Sequence, residues 1–261
     1  MIDILQVTGL VREAGKLLMN RKMEVMQKGN NSNFVTSCDI AVEEFLTAKL
    51  KELLPGSLVI GEESEDKPTA GELLWVIDPI DGTSNFIRDM GLSAISVGLV
   101  KDGEPYLGVV YQPYRDEMFY AKTGEGAYLN GERIQVSDRD FAHSHLCSAM
   151  SLYDKRYARP CFRIIDRVYQ ESDDLRRLGT AALELVYLAC GRVELYFEIR
   201  LQPWDVAGAL PIIKEAGGVI EVLYQDAFPL DKPFPVVAAN NGENFARLRK
   251  IVTEEIPVLP Y

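Results

Sequence analysis

The sequence is poor in positive charge. Its 261 residues carry 28 Lys and Arg against 39 Asp and Glu, a net charge of -11 at pH 7. That balance argues against a nucleic-acid backbone as the main partner, because no surplus of cations exists to displace its counterions. An anionic small molecule would need a local cation to meet it. Histidine is scarcer still: His143 and His145, in 141-FAHSHL-146, are the only two. An isolated HxH without further His or Cys reads as structural rather than as a metal site. The four cysteines (Cys38, Cys147, Cys161, Cys190) stand singly, without the CxxC spacing of a zinc knuckle or redox motif. They read as reduced structural thiols, which points to the cytoplasm. A basic-then-apolar leader pattern is missing, and the longest apolar stretches, such as 92-LSAISVGLV-100, are far too short to span a bilayer. The expectation is a soluble cytoplasmic protein without a membrane or nucleic-acid partner.

What the chain does have is apolar residues, 47% of the total, enough to bury a sizeable core. Ile4, Val7, Val11, Ala14 and Leu18 recur at intervals of three and four, the period of one helix face, so residues 3–20 are expected to be helical. A second helix is expected from Asp39 to about Leu53. The polar stretch 27-QKGNNSNFVTS-37 between them reads as an exposed loop or hairpin tip. Three β-rich runs, 92–100, 106–113 and 117–124, follow, with Lys101-Asp102-Gly103 and Asn130-Gly131 as turns. The later half alternates helical runs (180–190 and 205–217) with strands at 193-VELYFEI-199 and 235-PVVAAN-240, and ends in a helix from about Glu243 to Thr253. The pattern predicts an antiparallel-rich part over residues 1–140 and an α/β part over 141–261.

Carboxylates gather at the ends of these elements. Glu62 and Glu63 close one expected strand, Asp78 and Asp81 close another in 74-LWVIDPIDGTSNF-86, and Asp205 follows Trp204 at the start of a helix. Packed together without partners they would drive up one another's pKa, so either they lie apart in space or cations sit among them. An oxygen-only set suits magnesium or manganese rather than zinc. Bland readings exist for each: a solvated face for Glu62-Glu63, an ordinary turn for Asp78-Pro-Ile-Asp81-Gly, a helix N-cap for Asp205. The block as a whole favours a site. After the aspartates, Gly82-Thr83-Ser84 would open a helix whose free N–H groups suit phosphate, and a cation beside such a terminus is the arrangement of a phosphoryl site.

At 61-GEES-64, 75-WVIDPIDGTSNF-86 and 203-PWDVAGALPIIKEAGG-218, supported by 178-LGTAALELVYLACGRVELYFE-198, the sequence resembles the inositol monophosphatase family of magnesium-dependent, lithium-sensitive phosphatases. The resemblance spans nearly the whole chain. It implies a layered αβαβα sandwich of the sugar phosphatase type, α+β in its first part and α/β in its second, usually dimeric. It implies two to three Mg2+ per site, with Mn2+ as a substitute. Glu62, Asp78 and the Ile80 carbonyl would hold the first, and Asp78, Asp81 and Asp205 the second; a third, weaker one would sit near the Glu62 carboxylate. Thr83, paired to Asp39, would activate the water that attacks in line. The Gly82 and Thr83 amides would bind phosphate, while Asp81, Ala181 and Glu198 would face the alcohol. Lys28 matches a lysine of the family's metal-site loop.

Two departures concern the substrate. Arg200 stands two positions after Glu198, where inositol-cleaving members carry a small residue, and 148-SAMSLYDKRYARP-160 does not match the family's substrate-facing loop. Arg200 is either a second anion contact or a surface ion pair, and Arg176-Arg177 reads as a solvated or interface pair. The expected function is hydrolysis of inositol monophosphate or a related polyol or sugar phosphate. The alternatives are a fructose-1,6-bisphosphatase, a nucleotide 3′-phosphatase, or a non-catalytic phosphate-binding regulator.

Overall fold

Helix α1 (Ile4–Met19) begins where the Asp3 side chain accepts the Leu5 N–H, and it buries Val7, Val11, Ala14 and Leu18 as their spacing requires. The structure, a computed structural model, describes residues 2–20, 24–27, 34–64, 73–149 and 154–258. Strands β1 (Val25–Gln27) and β2 (Phe34–Thr36) pair antiparallel, so Phe34–Thr36 is strand rather than loop. Lys28 lies outside the described residues. Thr36 then caps α2 (Ser37–Leu53) in a reciprocal capping box with Asp39, which satisfies two of the N–H groups left over at that end.

A seven-stranded sheet follows, made of β3 (Leu58–Gly61), β4 (Leu73–Asp81), β5 (Ala94–Lys101), β6 (Glu104–Gln112), β7 (Glu117–Lys122), β8 (Ala127–Leu129) and β9 (Glu132–Arg133), with the short helix α3 (Thr83–Ile87) between β4 and β5. Its strands lie in chain order. Only the β3–β4 pair is parallel; the others are antiparallel. The β5–β6 turn places Asp102 and Gly103 at φ 53° and 83°, and the β8–β9 turn places Asn130 and Gly131 at 51° and 90°, the left-handed pair that a two-residue hairpin needs.

The second sheet holds β10 (His145–Ser148), β11 (Asp174–Arg176), β12 (Leu195–Leu201), β13 (Val219–Val222) and β14 (Phe234–Ala239), in the order β11-β10-β12-β14-β13. Helix α4 (Ala158–Tyr169) precedes β11, α5 (Ala181–Ala189) precedes β12, α6 (Pro203–Ala207) and α7 (Ala209–Glu215) follow it, and α8 (Gly242–Glu255) is the last described element. Where 205–217 reads as one helix, the structure breaks it at Gly208 into α6 and α7.

Five layers result. Helices α1 and α2 cover one face of the seven-stranded sheet; α5, α6 and α7 fill the space between the sheets; α4 and α8 cover the outer face of the five-stranded one. This is the expected αβαβα sandwich, with one apolar cluster under each outer helical layer and a third around the middle helices that reaches both sheets. The middle layer sits unusually close to the first sheet. A Cβ on Gly98 of β5 would come within 2.6 Å of the Ala207 backbone, and one on Gly108 of β6 within 1.9 Å of the Gly208 carbonyl oxygen. Bare glycines on the strands are what let α6 dock there, and docking fixes the place of Asp205.

Candidate active site

Strand β4 delivers the first carboxylates. It is buried along nearly its whole length and ends at Asp81. Its pairing with β5 is regular as far as Asp78 and shifts before Asp81. That irregularity holds Pro79 and turns both aspartates into one cavity. The Ile80 N–H donates to Asp78 at 3.0 Å. Gly82 follows with φ 87° and caps α3; a side chain there would be strained in φ and within 3.0 Å of the Leu92 carbonyl oxygen.

The third aspartate arrives from the other half of the chain. Carboxylate oxygens of Asp78, Asp81 and Asp205 lie within 4.8 Å of one another. Asp205 is the third residue of α6, not its N-cap: the helix starts at Pro203, and Asp205 accepts the Gln202 N–H at 2.7 Å. Asp81 accepts the Ala182 N–H at 2.7 Å and the Thr180 hydroxyl from the start of α5. Glu62, at the end of β3, lines the same cavity, as do Ile80, Gly82, Thr83, Ala181, Glu198 and Arg200.

Asp39 does not line the cavity but supports it from behind. It is fully buried, accepts the Thr36 hydroxyl at 2.5 Å, and faces the Thr83 hydroxyl at 3.5 Å. Thr83 itself donates to the Ile80 carbonyl at 3.0 Å. Glu62, Asp78, Ile80, Asp81, Gly82, Thr83, Ala181, Glu198, Arg200 and Asp205 are therefore in the cavity wall and Asp39 is one contact behind it.

The electrostatics follow from crowding like charges in a buried place. Burial, then Glu62, Asp81 and Asp205, pushes Asp78 well above the ordinary carboxylate range. Asp205 is raised likewise, by burial and then Asp81. Burial takes Asp81 up to about 6 against the lowering effect of Thr180 and Ala182, and Asp39 to about 6 against that of Thr36. Burying such a set is costly unless cations are present. Its donors are all oxygen, as hard divalent cations require. The residues thus fit a hard divalent cation, and Asp78, Asp81 and Asp205 are spaced to hold one.

Two further carboxylates line the cavity. Glu198 of β12 accepts the Tyr196 hydroxyl at 2.9 Å, and burial pushes it up to about 8. Glu184 of α5 accepts the Leu178 and Gly179 N–H groups at 2.5 and 3.1 Å and is pushed by burial to about 7. Glu184 and Thr180 are not apparent from sequence as site residues, although a lone Glu within the apolar run 181-AALELVYLA-189 is a usable signal.

The arginines correct one expectation. Arg176 pairs with Asp174, as a surface residue would, but Arg177 lines the cavity together with Arg200. Arg200 is a strand residue, since β12 runs to Leu201, and it also acts electrostatically on Asp154, whose pKa is held low chiefly by Arg156. Of the 148–160 stretch, Ala149 lines the cavity, while 150–153 lie outside the described residues. His143 pairs with Asp140 at 2.7 Å, and among the described residues the three aspartates are the one carboxylate, His or Cys group spaced to hold a metal. All four cysteines are free thiols. No described helix is long and apolar enough to cross a membrane.

Two packed sheets separated by helices, with an acidic cavity at the junction of β4, α3, α5 and α6, define the sugar-phosphatase type of fold. The chain belongs to the inositol monophosphatase family, whose model matches residues 4–256. It is 39% identical over 216 residues to the Nus factor SuhB of Escherichia coli, a match covering 80% of each chain. Among solved structures it is similar to the IMPase of Thermotoga maritima, at 30% identity and a TM-score of 0.85 over 97% of this chain and 98% of that one. It is also similar to inositol monophosphatase II of Staphylococcus aureus, solved with inositol monophosphate bound (31%, TM-score 0.77, 98% and 94% covered) and with 2′AMP bound (33%, TM-score 0.80, 97% and 95% covered).

Proposed function

We propose that this protein is a magnesium-dependent phosphomonoesterase that hydrolyses inositol monophosphate or a related polyol or sugar phosphate, acting as a homodimer. The observation that carries the proposal is the single cavity collecting Glu62, Asp78, Asp81, Thr83, Glu198 and Asp205. Magnesium, or manganese in its place, supplies neutralising charge for the phosphate oxygens and lowers the pKa of bound water. The protein's own groups do the rest. The Gly82 and Thr83 N–H groups stand beside the aspartates to take a phosphate oxygen. Thr83, its hydroxyl proton directed at Ile80 or Asp39, keeps lone pairs free to accept from a water and orient it behind the phosphorus. Glu62 flanks that position as a second acceptor. Attack in line breaks the bond to the alcohol oxygen and releases phosphate without a covalent enzyme intermediate. Asp81, Ala181 and Glu198 line the part of the cavity open to the alcohol. The chain is proposed to divide near residue 140, each part contributing side chains to the site.

Support for this substrate class comes from the family and from the S. aureus relative solved with inositol monophosphate bound. Arg177 and Arg200 in the same wall favour a second reading, in which the substrate carries another anionic group, as fructose 1,6-bisphosphate or a nucleoside bisphosphate does. The E. coli relative's name, Nus factor, supports a regulatory reading of the scaffold. One experiment separates all three: phosphate release with magnesium from myo-inositol 1-phosphate, fructose 1,6-bisphosphate, histidinol phosphate and adenosine 3′,5′-bisphosphate. The monophosphate should turn over. Release from none of them would leave the regulatory reading standing.

A further inference from the structure

We infer that Glu43 is a positioning residue that holds the Glu62 loop in register with the Thr83 hydroxyl, one turn of α2 serving as the spacer. Asp39 and Glu43 are four residues apart on α2, hence on one face of the helix. Asp39 reaches Thr83. Glu43 reaches the other side of the site: its two carboxylate oxygens accept the Glu63 N–H at 2.8 Å and the Ser64 hydroxyl at 2.6 Å. The Glu62 N–H in turn donates to the Ile77 carbonyl of β4 at 3.1 Å. Three consecutive residues are therefore pinned, one to the strand that carries Asp78 and two to the helix that carries Asp39.

The neighbour of Glu62 on the other side is shaped around the same carboxylate. A Cβ on Gly61 would lie 2.1 to 2.3 Å from the Glu43 carboxylate atoms, so the absence of a side chain there admits Glu43. Gly61 is an ordinary strand residue at the end of β3, and space rather than backbone conformation is what its glycine provides. Glu43 is only 5% exposed. Burying one more carboxylate beside an already acidic cavity costs stability. An aliphatic residue would avoid that cost, but it would leave the Glu63 N–H and the Ser64 hydroxyl without this acceptor. A buried carboxylate retained under those conditions is explained by what it orders, the short loop that presents Glu62.

This inference rests on the reading of Glu62 as a metal donor. A purely structural Glu43 would change melting temperature without changing metal affinity, so the test reads metal binding in the absence of substrate. Wild type, Glu43→Ala, Glu43→Gln, Gly61→Ala and the Glu43→Ala/Gly61→Ala double variant are titrated with magnesium, and the rise in melting temperature is followed. In Glu43→Ala the half-saturating magnesium concentration should rise about 10- to 100-fold. Glu43→Gln, which keeps one acceptor and turns the other into a donor, should fall between the two and serves if the alanine variant does not fold. Gly61→Ala should reproduce the loss when Glu43 is present and add little when it is absent, because both changes remove the same contact. Equal magnesium affinity in wild type and folded Glu43→Ala, or additive losses in the double variant, would overturn the role of Glu43 alone. A wild type whose melting temperature ignores magnesium would overturn the metal reading first, and this one with it.

Discussion

Asp81 and Ala182 are 101 positions apart in the chain and joined by a 2.7 Å hydrogen bond from the Ala182 N–H to the Asp81 carboxylate. The Thr180 hydroxyl donates to the same oxygen. One aspartate therefore both closes the carboxylate cluster and ties the end of β4 to the start of α5, so the site and the junction of the two sheets depend on the same side chain.

Replacing Asp81 should separate these two roles. In Asp81→Asn the side-chain oxygen still accepts from Ala182 and Thr180, while the amide turns a donor toward Asp78 and Asp205. Turnover should fall by several orders of magnitude through loss of a metal donor, and the metal-free melting temperature should hold or rise because like-charge crowding is relieved. Activity assays and calorimetry on one preparation check both. Near-normal turnover would remove Asp81 from the site.

Chelation gives the corresponding whole-site test. Because the aspartates would repel the phosphate they are proposed to bind, activity should vanish in excess chelator and return with magnesium or manganese. Lithium should inhibit at submaximal magnesium, as family membership leads one to expect. Turnover that persists in excess chelator would refute the metal reading.

Much of this site was legible because it is local in the chain. The strand end 75-WVIDPID-81 and the Gly82-Thr83 start of α3 each carry their own signal within a few residues. What was not legible depends on close approach between distant segments. Asp205 looks like a helix cap until Gly98 and Gly108 are seen to admit α6 against the sheet. Arg177 looks like a solvated partner of Arg176, because nothing in its neighbours' sequence shows that β11 ends beside the cavity. Glu43 looks like one more charge in the run Glu43-Glu44 of a helix, and its contacts with Gly61, Glu63 and Ser64 distinguish it.

Glu184 and Glu198 in the cavity wall should make metal-free stability depend on pH. Glu198 is raised from 4.5 to about 8 and Glu184 from 4.5 to about 7, both mainly by burial. Over that window the folded chain holds protons that the unfolded chain has released, so stability is full below pH ~4.5 and is lost as pH rises through ~7 to ~8. The slope should approach ~1.4 kcal/mol per pH unit for each group, with Asp39 and Asp81 adding in the same sense at the lower end. Thermal melts in chelator from about pH 5 to about pH 8.5 measure it. Glu184→Gln and Glu198→Gln should each flatten the curve and raise the melting temperature at the alkaline end; a flat wild-type curve would count against both shifts.

The two arginines decide between a singly and a doubly charged substrate. Glu198 and Arg200 are two residues apart on β12, and alternation along a strand puts them on one face; both do line the cavity. Arg177 joins them from the loop before α5. A guanidinium there can pair with a second phosphate or a carboxylate, an interaction on the order of 1.5–3 kcal/mol when charge-assisted, or roughly ten- to a hundredfold in binding. The Arg177 guanidinium also balances Glu184 and Glu198, lowering the pKa of each. The two roles predict different outcomes. If the arginines bind substrate, Arg200→Gly and Arg177→Gly should each lower kcat/KM for a bisphosphate far more than for myo-inositol 1-phosphate. If they only balance the buried glutamates, both substrates should lose alike, and the ratio of the two kcat/KM values should match that of the wild type. An unchanged ratio would leave the monophosphate as the substrate and assign the arginines to the charge balance of the cavity wall.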